Sequence, residues 1–136
     1  MLMRLIYASE STQPLTPATV QQLVEHASRS NARRQLTGVL AFDHRAFVQC
    51  LEGGREVVSE LFCRIAADTR HRRVVLLEFK AVDERMFTQW GMGFAAADAV
   101  GRETFLRFGS GAGFDPHAMS AGSALGLLQA LASRIS

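Results

Sequence analysis

Lysine is almost missing from this chain. Of the fifteen cationic residues among 136, only Lys80 is a lysine, and 13 acidic residues reduce the formal charge to +2. A balance that small does not recruit a nucleic acid by electrostatics alone. The arginine bias suits bidentate contacts with phosphate and carboxylate, although GC-rich coding produces it equally well. Cysteine is scarce too: Cys50 and Cys63 lie inside apolar patterns with no CxxC or Cys/His spacing beside them. No metal site is expected, and both thiols are predicted to be buried and reduced. No apolar run approaches the ~20 residues of a membrane span, and residues 1–7 are too short for a signal-peptide core. A cytoplasmic protein with no membrane partner is expected. No GxSxG, Walker, HExxH or CxxC motif occurs. The glycine-rich stretch 109–113 has neither a strand before it nor GxGxxG spacing, so it is assigned no ligand.

What is present reads as one core. Hydrophobic residues are 48% and charged residues 21%, near the globular average, and a chain of this length buries roughly two thirds of its unfolded surface. Residues 2–8 alternate loosely as a first strand, followed by a polar loop over 9–15. Thr16-Pro17 has the form of an N-cap with proline at the first helical position, and Val20, Leu23, Val24 and Ala27 recur at helical spacing, predicting a helix to about Asn31. Strand-like runs over 36–42 and 46–52 flank Asp43-His44-Arg45 and form a hairpin. After Gly53-Gly54, a second helix presents Val57, Val58, Leu61, Phe62 and Ile65 inward, and residues 68–71 close it. A strong strand covers 74–79, a short turn or helix 83–88, and a final alternating strand 90–94.

The order βαββαββ predicts an α+β, ferredoxin-like sandwich, a mixed sheet with two helices on one face. Beyond residue 95 the composition shifts to Ala, Gly and Ser. Helical pieces over 102–108 and 116–135 form a C-terminal helical extension, and Ala121, Leu125, Leu128 and Leu131 can share one face that covers the open sheet. We expect a domain over 1–97 and an extension over 98–136, packed on the sheet or in an oligomer interface.

Function has to come from the residues, since this scaffold hosts many activities. Tyr7 shares strand parity with Met3 and Leu5, Gln49 with Phe47 and Leu51, and Trp90 with Met92. If those faces are the helix-covered ones, a phenol and an amide point into the core. A buried amide needs partners for both its oxygen and its NH₂ group, which protein, water or ligand can supply. Singly these residues select no function: tyrosine is common in strands, and asparagine such as Asn31 is tolerated at helix C-termini.

Taken in order, they form a pattern. Arg4-Leu5-Ile6-Tyr7-Ala8-Ser9, Asn31 followed by Leu36-Thr37-Gly38-Val39-Leu40, Phe47-Val48-Gln49-Cys50-Leu51-Glu52-Gly53, Asp68-Thr69-Arg70-His71 and Arg85-Met86-Phe87-Thr88-Gln89-Trp90-Gly91-Met92 resemble, at family spacing, successive blocks of bacterial BLUF domains. The resemblance covers roughly residues 2–94. It implies a noncovalent FAD between the two helices and a blue-light photoreceptor rather than an enzyme. Tyr7 would give an electron and a proton to the light-excited flavin, and Gln49 would then rearrange its hydrogen bonds to it. A small red shift and a signalling state that reverts in the dark would follow. An amide, with donor and acceptor ends, can exchange the two roles without moving charge.

The same resemblance places Asn31 on the flavin's carbonyl edge and Leu23 and Ile65 against the ring faces. Arg64 and Asp68 match polar ring-edge contacts of some members, and their spacing is also that of a helical i,i+4 ion pair. Arg70 and His71 would approach the ribityl or phosphate portion, or join Arg72 and Arg73 in a solvated charge cluster. Ser30 stands where many members carry Asn or His, which weakens a second side-chain contact or leaves it to water. Trp90 and Met92 match a last-strand pair of which either can lie beside Gln49. A short, stand-alone sensor would signal to an unidentified protein partner or through a homo-oligomer, with the tail as relay.

The competing readings are a small phosphate-ester or acylphosphate hydrolase on the same scaffold and a flavin-free interaction module. Glu10 in the loop after the first strand disfavours the first, and intact Tyr7, Asn31 and Gln49 disfavour the second. The LOV class of flavin photoreceptors requires a reactive cysteine in an Asn-Cys-Arg-Phe-Leu-Gln run. That run is absent, and Cys50, adjacent to Gln49, should face the opposite side of its strand.

Overall fold

The structure, a computed structural model, describes residues 1–43 and 45–135. His44, in the middle of the expected hairpin turn, and Ser136, the end of the expected extension, lie outside the described residues. Strand β1 (Leu2–Ser11) leads into helix α1 (Pro17–Arg33), whose cap is Thr16, its hydroxyl accepting from the Thr19 N–H. Proline at the first helical position loses no needed hydrogen bond. Val20, Val24 and Asn31 recur on the buried side of α1, near multiples of the 3.6-residue turn. The helix runs two residues past the expected end, and the chain then turns through Gln35 in the left-handed region at φ 57.

Strands β2 (Thr37–Asp43) and β3 (Ala46–Gly54) form the hairpin, and α2 (Arg55–Ala67), β4 (His71–Ala81) and β5 (Gly93–Ala96) follow. Helices α3 (Arg102–Phe108) and α4 (Ala121–Ala132) end the described chain.

The sheet order is β4-β1-β3-β2-β5. The first four strands pair antiparallel and β5 lies parallel to β2, giving the mixed ferredoxin-like sheet. Alternation sorts its side chains into two cores. Leu5, Tyr7, Leu40, Phe47 and Leu51 face Val20 and Val24 of α1 and Val58 of α2. Ile6, Val39, Val48 and Cys50 face the opposite way, against Ala124, Leu127, Leu128 and Leu131 of α4. Because α4 covers the second face, β1 and β3 are buried on both sides, which is why their sequences read as nearly continuous apolar runs.

Four expectations need correction. The last strand is not 90–94 but β5. The Trp90 carbonyl accepts from the Gly38 N–H and the Met92 N–H donates to Ser28 Oγ, so this stretch is bent and its backbone is bonded outside the ladder. The first strand runs on to Ser11, where expectation had a loop, because it gains pairing with the start of β4. The expected helix over 116–135 divides into a 3₁₀ turn at Pro116–Ala118 and α4, capped by Ser120. Cys50 is buried as expected, but Cys63 is exposed on α2.

The edge strand β4 carries two register shifts against β1 and a left-handed Arg73 (φ 53), features that blunt an open edge against further pairing. Among the described residues no helix is long and apolar enough to cross a membrane.

Leu128 is fully buried in the second core, whereas Leu106 of α3 is 47% exposed. Leu128→Ala should therefore destabilise the protein by about 2–5 kcal/mol in urea titration. Leu106→Ala should stay within about 0.5 kcal/mol of the parent.

Candidate functional site

The site begins with register. Tyr7 on β1 sits directly opposite Gln49 on β3, and Gln49 opposite Leu40 on β2, so all three project from the centre of the sheet toward α1 and α2. Tyr7 is 2% exposed and Gln49 8%. The phenol donates to Gln49 Oε1, and Gln49 Nε2 donates to Met92 Sδ at 3.1 Å. Burial drives the Tyr7 pKa upward, so the phenol stays neutral and keeps the proton it donates. Its ring lies 5.5 Å, centre to centre, from that of Phe62 on α2. Phenol, amide and thioether thus form one buried line in which the amide acts as acceptor at one end and donor at the other.

The two members of the last-strand pair separate. Met92 is buried in the core under α1 and α2, beside Gln49, while Trp90 packs against the core under α4. Residues 90–92 are stitched to α1. Asn31, 5% exposed, donates through Nδ2 to the Gly91 carbonyl at 3.2 Å, and Ser28 Oγ receives the Met92 N–H at 3.0 Å. A Cβ on Gly91 would lie 2.2 Å from the Ser28 carbonyl oxygen, so only glycine permits this approach. Ser28 and Gly91 were not singled out in the sequence. Ser28 lies one helical turn before Asn31 on the same face, a spacing that could have found it. Ser30 is exposed and stands outside this stitching.

Helices α1 and α2 each contact the sheet more than each other, and Arg34 Nη2 bridges them to Glu60 Oε2 at 2.7 Å. Leu23 on α1 is 47% exposed, and Ile65 on α2 is half-buried against the same core as Tyr7. Arg64 is exposed and forms no i,i+4 pair with Asp68. Asp68 caps the end of α2 and pairs instead with Arg70, at 2.6 Å from Nη2 and 2.9 Å from the backbone N–H. Those bonds hold its carboxyl at a pKa of about 2.

His71 is joined to Ser9 Oγ at 3.1 Å, its ring lies tilted at 5.5 Å from that of Phe47, and burial lowers its pKa. Arg72 and Arg73 do not cluster with Arg70: both bind the Glu10 carboxylate, each at 3.0 Å. Among the described residues no group of three or more His, Cys, Asp and Glu side chains could hold a metal ion.

This donor set fits a flavin. The ring offers carbonyl oxygens and ring nitrogens along one polar edge, and Asn31 and Gln49 bring amides that both donate and accept. Aliphatic Leu23 and Ile65 on the two helices suit its apolar faces. A hydrolytic site fits less well, since Ser9 is fully buried and Arg70, Arg72 and Arg73 near the end of β1 are held by Asp68 and Glu10.

Comparison with known proteins agrees. The family profile described as BLUF, sensors of blue-light using FAD, matches residues 2–93. The chain is 32% identical over 100 residues to the beta subunit of a photoactivated adenylate cyclase of Euglena gracilis, covering 73% of this chain and 12% of that protein. It is similar to the photo-activated state of BlsA, with TM-score 0.77 and 31% identity over 96% of this chain and 94% of that one. Klebsiella pneumoniae BlrP1, solved with FMN and cyclic diGMP, gives TM-score 0.70 and 34% identity over 79% of this chain and 29% of that one. The chain thus spans about an eighth of the curated cyclase subunit it matches.

Two predictions follow from this geometry. Gly91→Ala should destabilise by more than about 1 kcal/mol in urea titration. Gly111→Ala, in an exposed loop where no atom lies within 4 Å of an added Cβ, should stay within about 0.5 kcal/mol. The depressed His71 pKa means that the unfolded chain binds a proton more readily than the native one. Its contribution to stability is therefore present above the unfolded value near 6.5 and is lost as pH falls through the native value. The urea midpoint should drop over that acid range, and His71→Gln should flatten the drop.

Proposed function

This chain belongs to the BLUF family of blue-light sensors, and from that premise we propose that it is a photoreceptor in which FAD, bound noncovalently between α1 and α2, is read by Tyr7 and Gln49. The observation that carries this reading is the buried line from the Tyr7 hydroxyl through the Gln49 amide to Met92 Sδ. When bound, the flavin supplies absorption of blue light and an excited ring that accepts an electron. Everything else is done by the chain.

Tyr7 is a neutral phenol hydrogen-bonded to the amide oxygen. Withdrawal of an electron makes a phenol strongly acidic, and its proton would follow along the bond to Gln49 Oε1 while the Gln49 nitrogen releases one toward the flavin, so that the amide stays neutral and the electron and proton return to Tyr7 as the ring relaxes. Gln49 answers by exchanging its donor and acceptor ends, a change that moves no net charge through a low-dielectric core. A thioether is a weak acceptor, so Met92 gives up the NH₂ group at little cost.

Asn31 holds the polar edge of the ring, while Leu23 and Ile65 line its faces. Ser30, Arg64, Asp68, Arg70 and His71 complete the surround at the ring edge and the ribityl and phosphate portion. In this reading residues 1–97 form the sensing domain and 98–136 the extension. The sensor works in the cytoplasm, and its output passes to a protein partner or a homo-oligomer rather than to chemistry at the site.

The test is absorption spectroscopy of purified variants before and after blue light. Gln49→Leu should keep bound flavin and lose the light-induced red shift completely, because it removes the exchangeable amide and leaves the pocket. Tyr7→Phe should bind flavin and fail to form the normal signalling state. Cys50 is fully buried under α4, on the face opposite Gln49, so Cys50→Ala should shift and recover as the parent does. A full shift in Gln49→Leu or Tyr7→Phe would remove the pair from the mechanism.

A further inference from the structure

Glu52 lies three residues beyond Gln49 on β3 and faces the other side of the sheet. It is fully buried, a costly place for a carboxylate unless every oxygen is bonded. Oε1 accepts the backbone N–H groups of Met86 at 2.9 Å and Phe87 at 2.8 Å. Oε2 accepts Arg4 Nε at 2.9 Å and shares the Met86 N–H at 3.0 Å. Arg85 closes the same joint, donating to the Glu52 carbonyl at 3.2 Å, to Thr37 Oγ1 at 2.8 Å and to the Gln35 carbonyl at 2.8 Å.

The arginine partner alone would make this an ordinary buried ion pair, but the two main-chain amides belong to the segment that delivers Met92. That segment is bonded at both ends, at Met86 and Phe87 by Glu52 and at residues 90–92 by Gly38, Asn31 and Ser28. Met86 meets the tail as well, since Gln129 Nε2 of α4 donates to its sulfur at 2.8 Å.

We propose that Glu52 is a positioning residue for the Gln49–Met92 contact: its carboxylate fixes the register of segment 85–92, holding Met92 against Gln49 at one end and Met86 against Gln129 of α4 at the other. The proposal rests on the reading of Gln49 as the switch. A change in which end of the amide faces Met92 is then felt by one short, doubly anchored segment, and α4 lies at its far end.

The variants are Glu52→Leu, which removes both oxygens that receive the Met86 and Phe87 N–H groups, and Arg4→Met, which keeps the carboxylate on Met86 and Phe87. The double variant Arg4→Met/Glu52→Leu removes both buried charges, so a cost from an unpaired charge does not obscure the result. Methyl NMR of the methionines is the first readout. Glu52→Leu and the double variant should move the Met92 and Met86 methyl signals, and Arg4→Met should leave Met92 in place.

Dark recovery after blue light is the second readout. Glu52→Leu should change its rate by about tenfold. Adding Met92→Ala should change it no further, because residues acting through one contact are not additive.

In the parent protein, the Met86 and Phe87 amides should exchange with solvent as slowly as those of β3. A Met92 signal unmoved in folded Glu52→Leu, multiplicative effects on recovery, or loop-like exchange of those amides in the parent would each overturn the proposal. A parent protein with the expected methyl and exchange behaviour but no light-induced shift would instead remove the photoreceptor reading and leave the positioning role standing.

Discussion

A buried amide has to be bonded at both ends, and in this molecule that demand falls on Gln49, whose neighbours are set by strand register. Tyr7 is opposite it on β1 and Leu40 on β2, so the partners that can satisfy it come from directly across the strands or from a segment folded over them. The phenol takes the oxygen and Met92 the nitrogen. A slip of one residue in the β1–β3 pairing would send Tyr7 or Gln49 into the core under α4 and leave the amide without a partner. The apolar alternation of both strands opposes such a slip, so the same pattern that builds the core also places the site.

The covered second face gives the sheet a further property. With helices on one side and α4 on the other, β3 can carry Gln49 toward one layer and Glu52 toward the other within a single turn of the pleat. Segment 85–92 threads between these layers, with Phe87 and Trp90 on the α4 side and Met92 on the side of α1 and α2. It has no ladder of its own. Its shape is imposed by side chains of α1 and β3 and by backbone groups of β2 and the loop before it, so its position reports on them. The charged groups nearby are mostly committed elsewhere, Asp68 to Arg70 and Glu10 to Arg72 and Arg73, which leaves the centre of the site to neutral hydrogen-bonding groups.

Periodicity made the strands β1 to β4, the two helices and the inward parity of Tyr7 and Gln49 legible, because each depends on spacing along one segment. Asn31 shares the buried phase of Val20 and Val24, although the sequence alone placed it only at a helix C-terminus. What sequence did not reveal depends on contacts between segments. The alternation of Trp90 and Met92 suggested a strand, yet their backbone bonds to Gly38 and Ser28 bend the chain and send the two side chains to opposite layers. Arg64 and Asp68 had ion-pair spacing, but Asp68 caps the helix and the residue two positions on reaches it first. Cys63 sat in an apolar pattern and emerges on the exposed side of α2. Glu52 stood inside the pattern that drew attention to Gln49, and only the fold shows what its carboxylate holds.

If light acts on this molecule through the Tyr7–Gln49 hydrogen bond beside a bound flavin, the absorption spectrum of the purified parent protein in the dark, after blue light, and during the return to darkness shows it most directly. A flavin spectrum that moves slightly to the red on illumination and relaxes back in the dark is expected. A protein that takes up no flavin, or a flavin spectrum that blue light leaves unchanged, would contradict it.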